Sequence, residues 1–283
     1  MTTTIRTGRT DRTVAAAPTG PTGLTGPTRL TWPHVLAADV RRLRTLRSTW
    51  WFVAAFVVFT VALGAFPALG VAAGALDGAA EEVSALGGSL SGMSVAEIIV
   101  AAFAALAVTA EYASGAVIST FAAVPRRATV VLARAAVVGA GVLALSLALT
   151  FGTFAVVHAL LGSAGVDLPL TAPGVVRALA GAAFHLVVVA ALAVAAGWLL
   201  RSTAGALAAV VGIFHVLPVI GFVLPASVAR SVLPWLPGNA AAALMEPTPG
   251  PEMLAPAVAL AALVAYAVAA MTLAAVVVGR RDL

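Results

Sequence analysis

The chain has 283 residues, 61% of them hydrophobic and 10% charged, with a formal net charge of +5. Soluble domains carry about 45–50% apolar and about 25% charged residues, so a water-soluble globule of this composition is excluded. All 16 basic residues are arginine and there is no cysteine. The sequence therefore offers no P-loop lysine, Schiff-base lysine, thiol nucleophile or thiolate metal site, and any ATP hydrolysis belongs on another chain.

Residues 1–31 are rich in Thr, Gly, Pro and Arg, with Pro18-Thr-Gly, Pro21-Thr-Gly and Pro27-Thr-Arg as a loose repeat. Such a composition buries too little apolar surface to order itself, which predicts a disordered tail. It lacks the apolar core and small-residue cleavage site of a signal peptide. Residues 32–283 form the membrane domain. Within it, 33–48 read as an amphipathic helix lying on the membrane surface. Thr31 is placed to cap it and Pro33 to open it. Leu36, Val40, Leu43 and Leu46 make one apolar stripe, with Arg41, Arg42, Arg44 and Arg47 on the other surfaces. Trp32, Trp50 and Trp51 suit the interface between lipid and water.

Long charge-free runs follow. They predict membrane helices at about 50–70, 129–161, 175–200, 203–224 and 254–279, each longer than the roughly 20 residues needed to cross a bilayer. A sixth, at about 93–111, requires Glu97 to lie about one turn below the surface and reach headgroups. Runs of Ala, Leu, Val and Gly without a period-two polar face exclude a membrane barrel. The expected class is all-α, with six transmembrane helices preceded by the surface helix. Arginine placement sets the orientation. With the N-terminus inside, only Arg177 and Arg230 fall outside, whereas Asp77, Glu81, Glu82, Glu97, Asp167, Glu246 and Glu252 gather there. Both termini are then cytoplasmic, and the basic excess reads as topology and anionic-lipid contact, with no nucleic-acid partner.

The inner loop 112–127 follows Glu111, which marks where the second helix meets water, a carboxylate being costly in hydrocarbon. Pro125 ends a short helical segment there. Val117, Phe121 and Val124 fall at i, i+4 and i+7, an apolar stripe that needs a partner surface; the alternative is a helix lying on lipid, with Arg126 and Arg127 as topology signals. The outer segment 225–252 is rich in Pro and Gly yet apolar, which fits a re-entrant hairpin or an interfacial helix. Gly139, Gly141, Gly205 and Gly212 permit close helix approach. His158, His185 and His215 lie in the third, fourth and fifth helices, the last two roughly 15 Å deep at about 1.5 Å per residue. Three imidazoles in one half of the membrane are a candidate metal or haem site or a proton relay. The alternative is neutral rings bonded to carbonyls. Glu81-Glu82 lies outside any span and does not form an intramembrane protease pair.

These segments resemble the membrane subunit of bacterial type-2 ABC exporters, specifically the actinobacterial permeases. The resemblance rests on Leu43-Arg-Thr-Leu-Arg-Ser-Thr-Trp-Trp51, on Glu111-Tyr112 with Gly115, on Pro125-Arg126-Arg127, and on the six-span layout. It covers about residues 33–281; its specific part is 41–51 and 111–127. It implies that the loop after the second span is the coupling helix docking into a separate ATP-binding subunit, with Glu111, Tyr112, Gly115, Phe121, Pro125, Arg126 and Arg127 as coupling elements. Ala113 and Ala116 stand where the family pattern has polar residues. It further implies a second permease copy or paralogue, ATP and Mg on the partner subunit and no cofactor on this chain, and the bacterial plasma membrane as location. The chain itself is then no enzyme. Two other classes stay open: a proton-coupled secondary transporter using the membrane histidines, and a non-transporting scaffold or redox subunit. The substrate is not legible in the sequence.

Overall fold

The computed structural model describes residues 32–73, 85–123, 127–162 and 169–281. The expected tail 1–31, the pair Glu81-Glu82, and Val124, Pro125 and Arg126 lie outside the described residues. Helix α1 (Trp32–Thr45) covers the expected surface helix. It stops where the Thr45 hydroxyl donates to the Arg42 carbonyl at 2.9 Å and Leu46 turns extended, so that α2 (Arg47–Ala72) begins as a separate helix. Next come α3 (Ala85–Leu90), α4 (Met93–Ala113), the short α5 (Ala116–Ala123), α6 (Arg127–Gly162) and α7 (Val175–Leu200). The chain continues through α8 (Thr203–Val211), a π-helical turn at Gly212–Val216, α9 (Leu217–Ile220), α10 (Ala226–Val232), α11 (Pro237–Met245) and α12 (Pro256–Arg280). Six stretches are long and apolar enough to cross a membrane: Arg47–Ala72, Leu86–Ala113, Arg127–Gly162, Val175–Leu200, Thr203–Ile220 and Pro256–Arg280. The protein is all-α with six candidate spans, and the described residues contain no strand.

The third span, α6, runs 36 residues, close to the expected 129–161, and carries Arg127 and Arg134 at one end. One span departs from expectation. The fifth, expected as one helix over 203–224, is broken at the π turn. Pro218 is the cause: lacking an N–H, it cannot bond the carbonyl four residues back, that of Phe214. The chain accommodates this with a wider turn, in which the Leu217 N–H reaches back five residues to Gly212. Pro67 frees a carbonyl in the same way within α2, that of Leu63, and there the Ser91 hydroxyl donates to it at 2.7 Å.

Helix α7 is the axis of the bundle: 78% of its spanning window is buried, against at most 44% for the other five spans. It packs on α4, α6, α8, α11 and α12. Helix α11 lies along its first half. Tyr266, ten residues into α12, donates to the Trp235 carbonyl just before α11 at 2.9 Å, so α11 starts roughly 15 Å along α12 at about 1.5 Å per residue. At its other end, Arg177 of α7 donates to the carbonyls of Leu244, Glu246 and Pro247 at 3.1, 2.7 and 2.8 Å. These last-turn carbonyls have no partner within their own helix.

The α7–α11 contact depends on Gly181, where a Cβ would meet the Leu244 Cγ at 2.7 Å and its carbonyl oxygen at 2.9 Å. Gly181→Leu is expected to destabilise the domain by about 1–3 kcal/mol through overpacking. Gly141→Leu, at a site with nothing within 4 Å, serves as the control. Thermal unfolding of the detergent-purified proteins checks this, and equal melting temperatures for the two variants would contradict the packing described.

Candidate functional site

One end of the bundle gathers the arginines. Glu111, in the last turn of α4, is only 1% exposed. Its Oε1 accepts from Arg134 Nη2 of α6 at 2.6 Å and pairs with Arg42 of α1. Arg134 Nη2 also donates to Asp39 Oδ1 of α1 at 2.8 Å, and its Nη1 donates to the Ala107 carbonyl. Two cations and two carboxylates thus balance inside the protein and tie α1 to the ends of α4 and α6. Burial, and then the neighbouring Arg134 charge, hold the Arg42 guanidinium below its ordinary value. The expectation that Glu111 marks the water boundary is corrected: its carboxylate is buried, with Oε1 met by two guanidinium groups and Oε2 without a hydrogen-bond partner. Nor does Arg42 simply face away from the apolar stripe, since it reaches back to Glu111.

After Glu111 the chain turns through Gly115 at φ +71°, a conformation that glycine adopts without strain. This sets α5 across the end of the bundle. Val117 and Phe121 are both buried. The Phe121 ring lies 5.8 Å from that of Trp198, near the end of α7, and the Tyr112 ring meets the same indole edge-on at 5.8 Å. Arg127 stacks 5.5 Å from the Phe121 ring and Arg201 5.3 Å from Tyr112. Arg127 also bonds the Arg281 carbonyl, and Arg281 donates to the Leu199 carbonyl at 2.9 Å. Two residues of the expected stripe, Val117 and Phe121, thus share one face, turned inward over the buried Trp198 indole; the third, Val124, lies outside the described residues. Ile118, Ser119 and Ala122 form the outward face. Trp198 carried no sequence signal of this role.

Arg41, Arg44 and Arg47 are exposed on α1 and the start of α2. The Trp50 indole N–H donates to the Arg44 carbonyl at 3.1 Å. Beside them an apolar groove of about 710 Å³ runs between α1, α2, α4 and α6, lined by Leu36, Leu43, Phe52 and Phe103 among others.

A second polar cluster lies within the bundle. His185 Nε2 of α7 is 2.7 Å from Glu97 Oε1 of α4, and His215 Nε2, in the π turn, is 3.4 Å from Glu97 Oε2. The Phe214 ring packs edge-on against His185 at 5.0 Å. Glu97 was expected to reach toward headgroups; it turns inward instead, because two imidazoles offer it better partners than lipid. His158 does not join this cluster and stacks at 6.0 Å on Phe154. Among the described residues, no group of three or more His, Cys, Asp or Glu side chains is set to hold a metal ion.

The fold defines a multi-pass, all-α membrane protein of six candidate spans. No family model, no curated protein and no solved structure matches the chain.

Proposed function

We propose that the chain is the membrane subunit of an ATP-driven ABC exporter in the bacterial plasma membrane. A separate ATPase subunit, holding ATP and Mg, docks on α5, and a second permease copy or paralogue completes the path. The observation that carries this reading is the construction of α5. It is a short helix at the arginine-rich end, too small to fold alone, with its inner face fixed to α7 through Trp198 and its outer face free. The adjacent ion network ties its base to α1 and α6. Force on α5 is thereby delivered to four helices at once, which is what biasing two bundle states by an external motor requires. Glu111 acts from inside the network, and Tyr112, Gly115, Phe121 and Arg127 set the position of α5. Docking falls to Ile118 and Ser119, with Pro125 and Arg126 adjoining.

The test is affinity purification of the tagged chain from native membranes in mild detergent. A P-loop ATPase is expected in stoichiometric amount, and Ile118→Asp, at a position 63% exposed, is expected to lose it while the chain still inserts. Recovery of the wild-type chain alone overturns the reading. Favouring a proton-coupled secondary transporter instead is a single observation, the contact of Glu97 with His185 and His215. That reading requires transport from the isolated chain, driven by a proton gradient without ATP.

A further inference from the structure

We propose that Glu97, His185 and His215 form a proton-binding site inside the membrane domain, one exchangeable proton being shared between a carboxylate and two imidazoles. The inference is independent of what drives transport. Each ring presents Nε2 to one carboxylate oxygen, at 2.7 and 3.4 Å, and the Nδ1 of each is buried with no hydrogen-bond partner. With both Nε2 atoms carrying hydrogen, the rings are neutral and the cluster bears a charge of −1.

Among the described residues, Glu97 pairs with the two imidazoles and with no arginine; Arg230 is the one cation of α10. Helices α3, α5, α8, α9 and α11 carry no ionisable side chain, and α2 carries only Arg47 at its far end. On α12 there are Tyr266, bonded to the Trp235 carbonyl, and the terminal Arg280. Helix α6 contributes Arg127 and Arg134, engaged at the other end, and His158, stacked on Phe154. Arg177 of α7 is held by the carbonyls after α11, and Glu111 of α4 by the ion network. A net charge in a low-dielectric interior is costly, whereas a neutral cluster is not. The site is therefore completed by one proton from water. An N–H bond forms at a bare Nδ1, or an O–H bond at Glu97, as an O–H bond of hydronium breaks and leaves water.

The His215 side chain is 36% exposed, Glu97 12% and His185 1%, so His215 is the member of the cluster nearest the bundle surface. His215 lies in the π turn of the fifth span, while Glu97 and His185 sit on regular α-helices, so the shared proton joins the irregular turn to two regular helices.

The test uses the full chain, labelled with ¹⁵N-histidine in lipid nanodiscs and titrated from about pH 8 to about pH 5, the range in which imidazoles change charge. The signals of His185 and His215 are expected to move together in one shared step. Glu97→Gln keeps the size and removes the charge. It is expected to uncouple the two signals and to take up about one proton fewer over the same range, counted with a pH electrode. Should that variant fail to fold, His215→Gln decides: it is expected to abolish the shared step and shift that of His185. Unchanged His185 and His215 signals in the wild type, or equal uptake in wild type and variant, overturn the proposal. Neither result depends on an ATPase partner, so failure here and failure of the docking test are distinguishable.

Discussion

Arg134→Met is expected to cost about 3–5 kcal/mol, because it breaks a buried ion network from one side only. The arginine is 2% exposed, and its Nη2 bonds both Asp39 and Glu111. Methionine fills much of the space but leaves two carboxylates facing the single charge of Arg42. The uncompensated negative charge, not the lost packing, is the larger cost. This can be separated experimentally. Arg134→Met combined with Glu111→Gln leaves one cation and one anion, Arg42 and Asp39, and is expected to recover much of the loss. Melting temperatures of the purified single and double variants measure it. A double variant no more stable than Arg134→Met would place the effect in packing and remove charge balance as its cause. Because Asp39 and Arg42 are the charged ties of α1 to the bundle, the single variant is also expected to raise hydrogen exchange in α1 above that in α12.

The contrast between the spans and these pairings shows what the sequence carries. A membrane helix is a property of local composition, so five apolar stretches were legible from charge-free runs, and the sixth once Glu97 was allowed within it. Which side chains meet across helices depends on helix rotation. In α7, nearly all Ala, Val and Leu around its circumference, no periodicity records that rotation. Glu97 read as a headgroup contact because its partner His185 is 88 residues away in sequence, and Asp39 is 95 residues from Arg134. Asp39 was hidden among the arginines of an amphipathic stripe. Spacing did place Val117 and Phe121 on one face of α5, but spacing defines a face without saying what it faces. Pro218 lies inside the run read as one span over 203–224, and its missing N–H explains the interruption. The π turn, which brings His215 to Glu97, also packs against α11, a contact that no local pattern records.

Trp198→Ala is expected to cost about 3–5 kcal/mol as well, from loss of buried aromatic volume, but with a different consequence. The indole is fully buried and is touched by Tyr112 from the end of α4 and by Phe121 from α5. Removing it takes away the floor on which α5 rests, while the ion network beside Glu111 remains intact. Local loosening should therefore exceed global loosening: hydrogen exchange over 116–123 is expected to rise far more than over α12, and, under the proposed function, recovery of an ATPase partner is expected to fall. Trp198→Phe is the discriminating partner. The indole N–H is buried without an acceptor among the described residues, so phenylalanine gives up some volume but also removes an unpaired donor, whose burial is itself unfavourable. It is expected to keep α5 protected and docking near wild type. If Trp198→Ala destabilised the whole bundle evenly and left exchange in α5 no higher than elsewhere, the indole would be ordinary core and the mechanical link from α5 to α7 would have to run through the Gly115 turn and Glu111 instead.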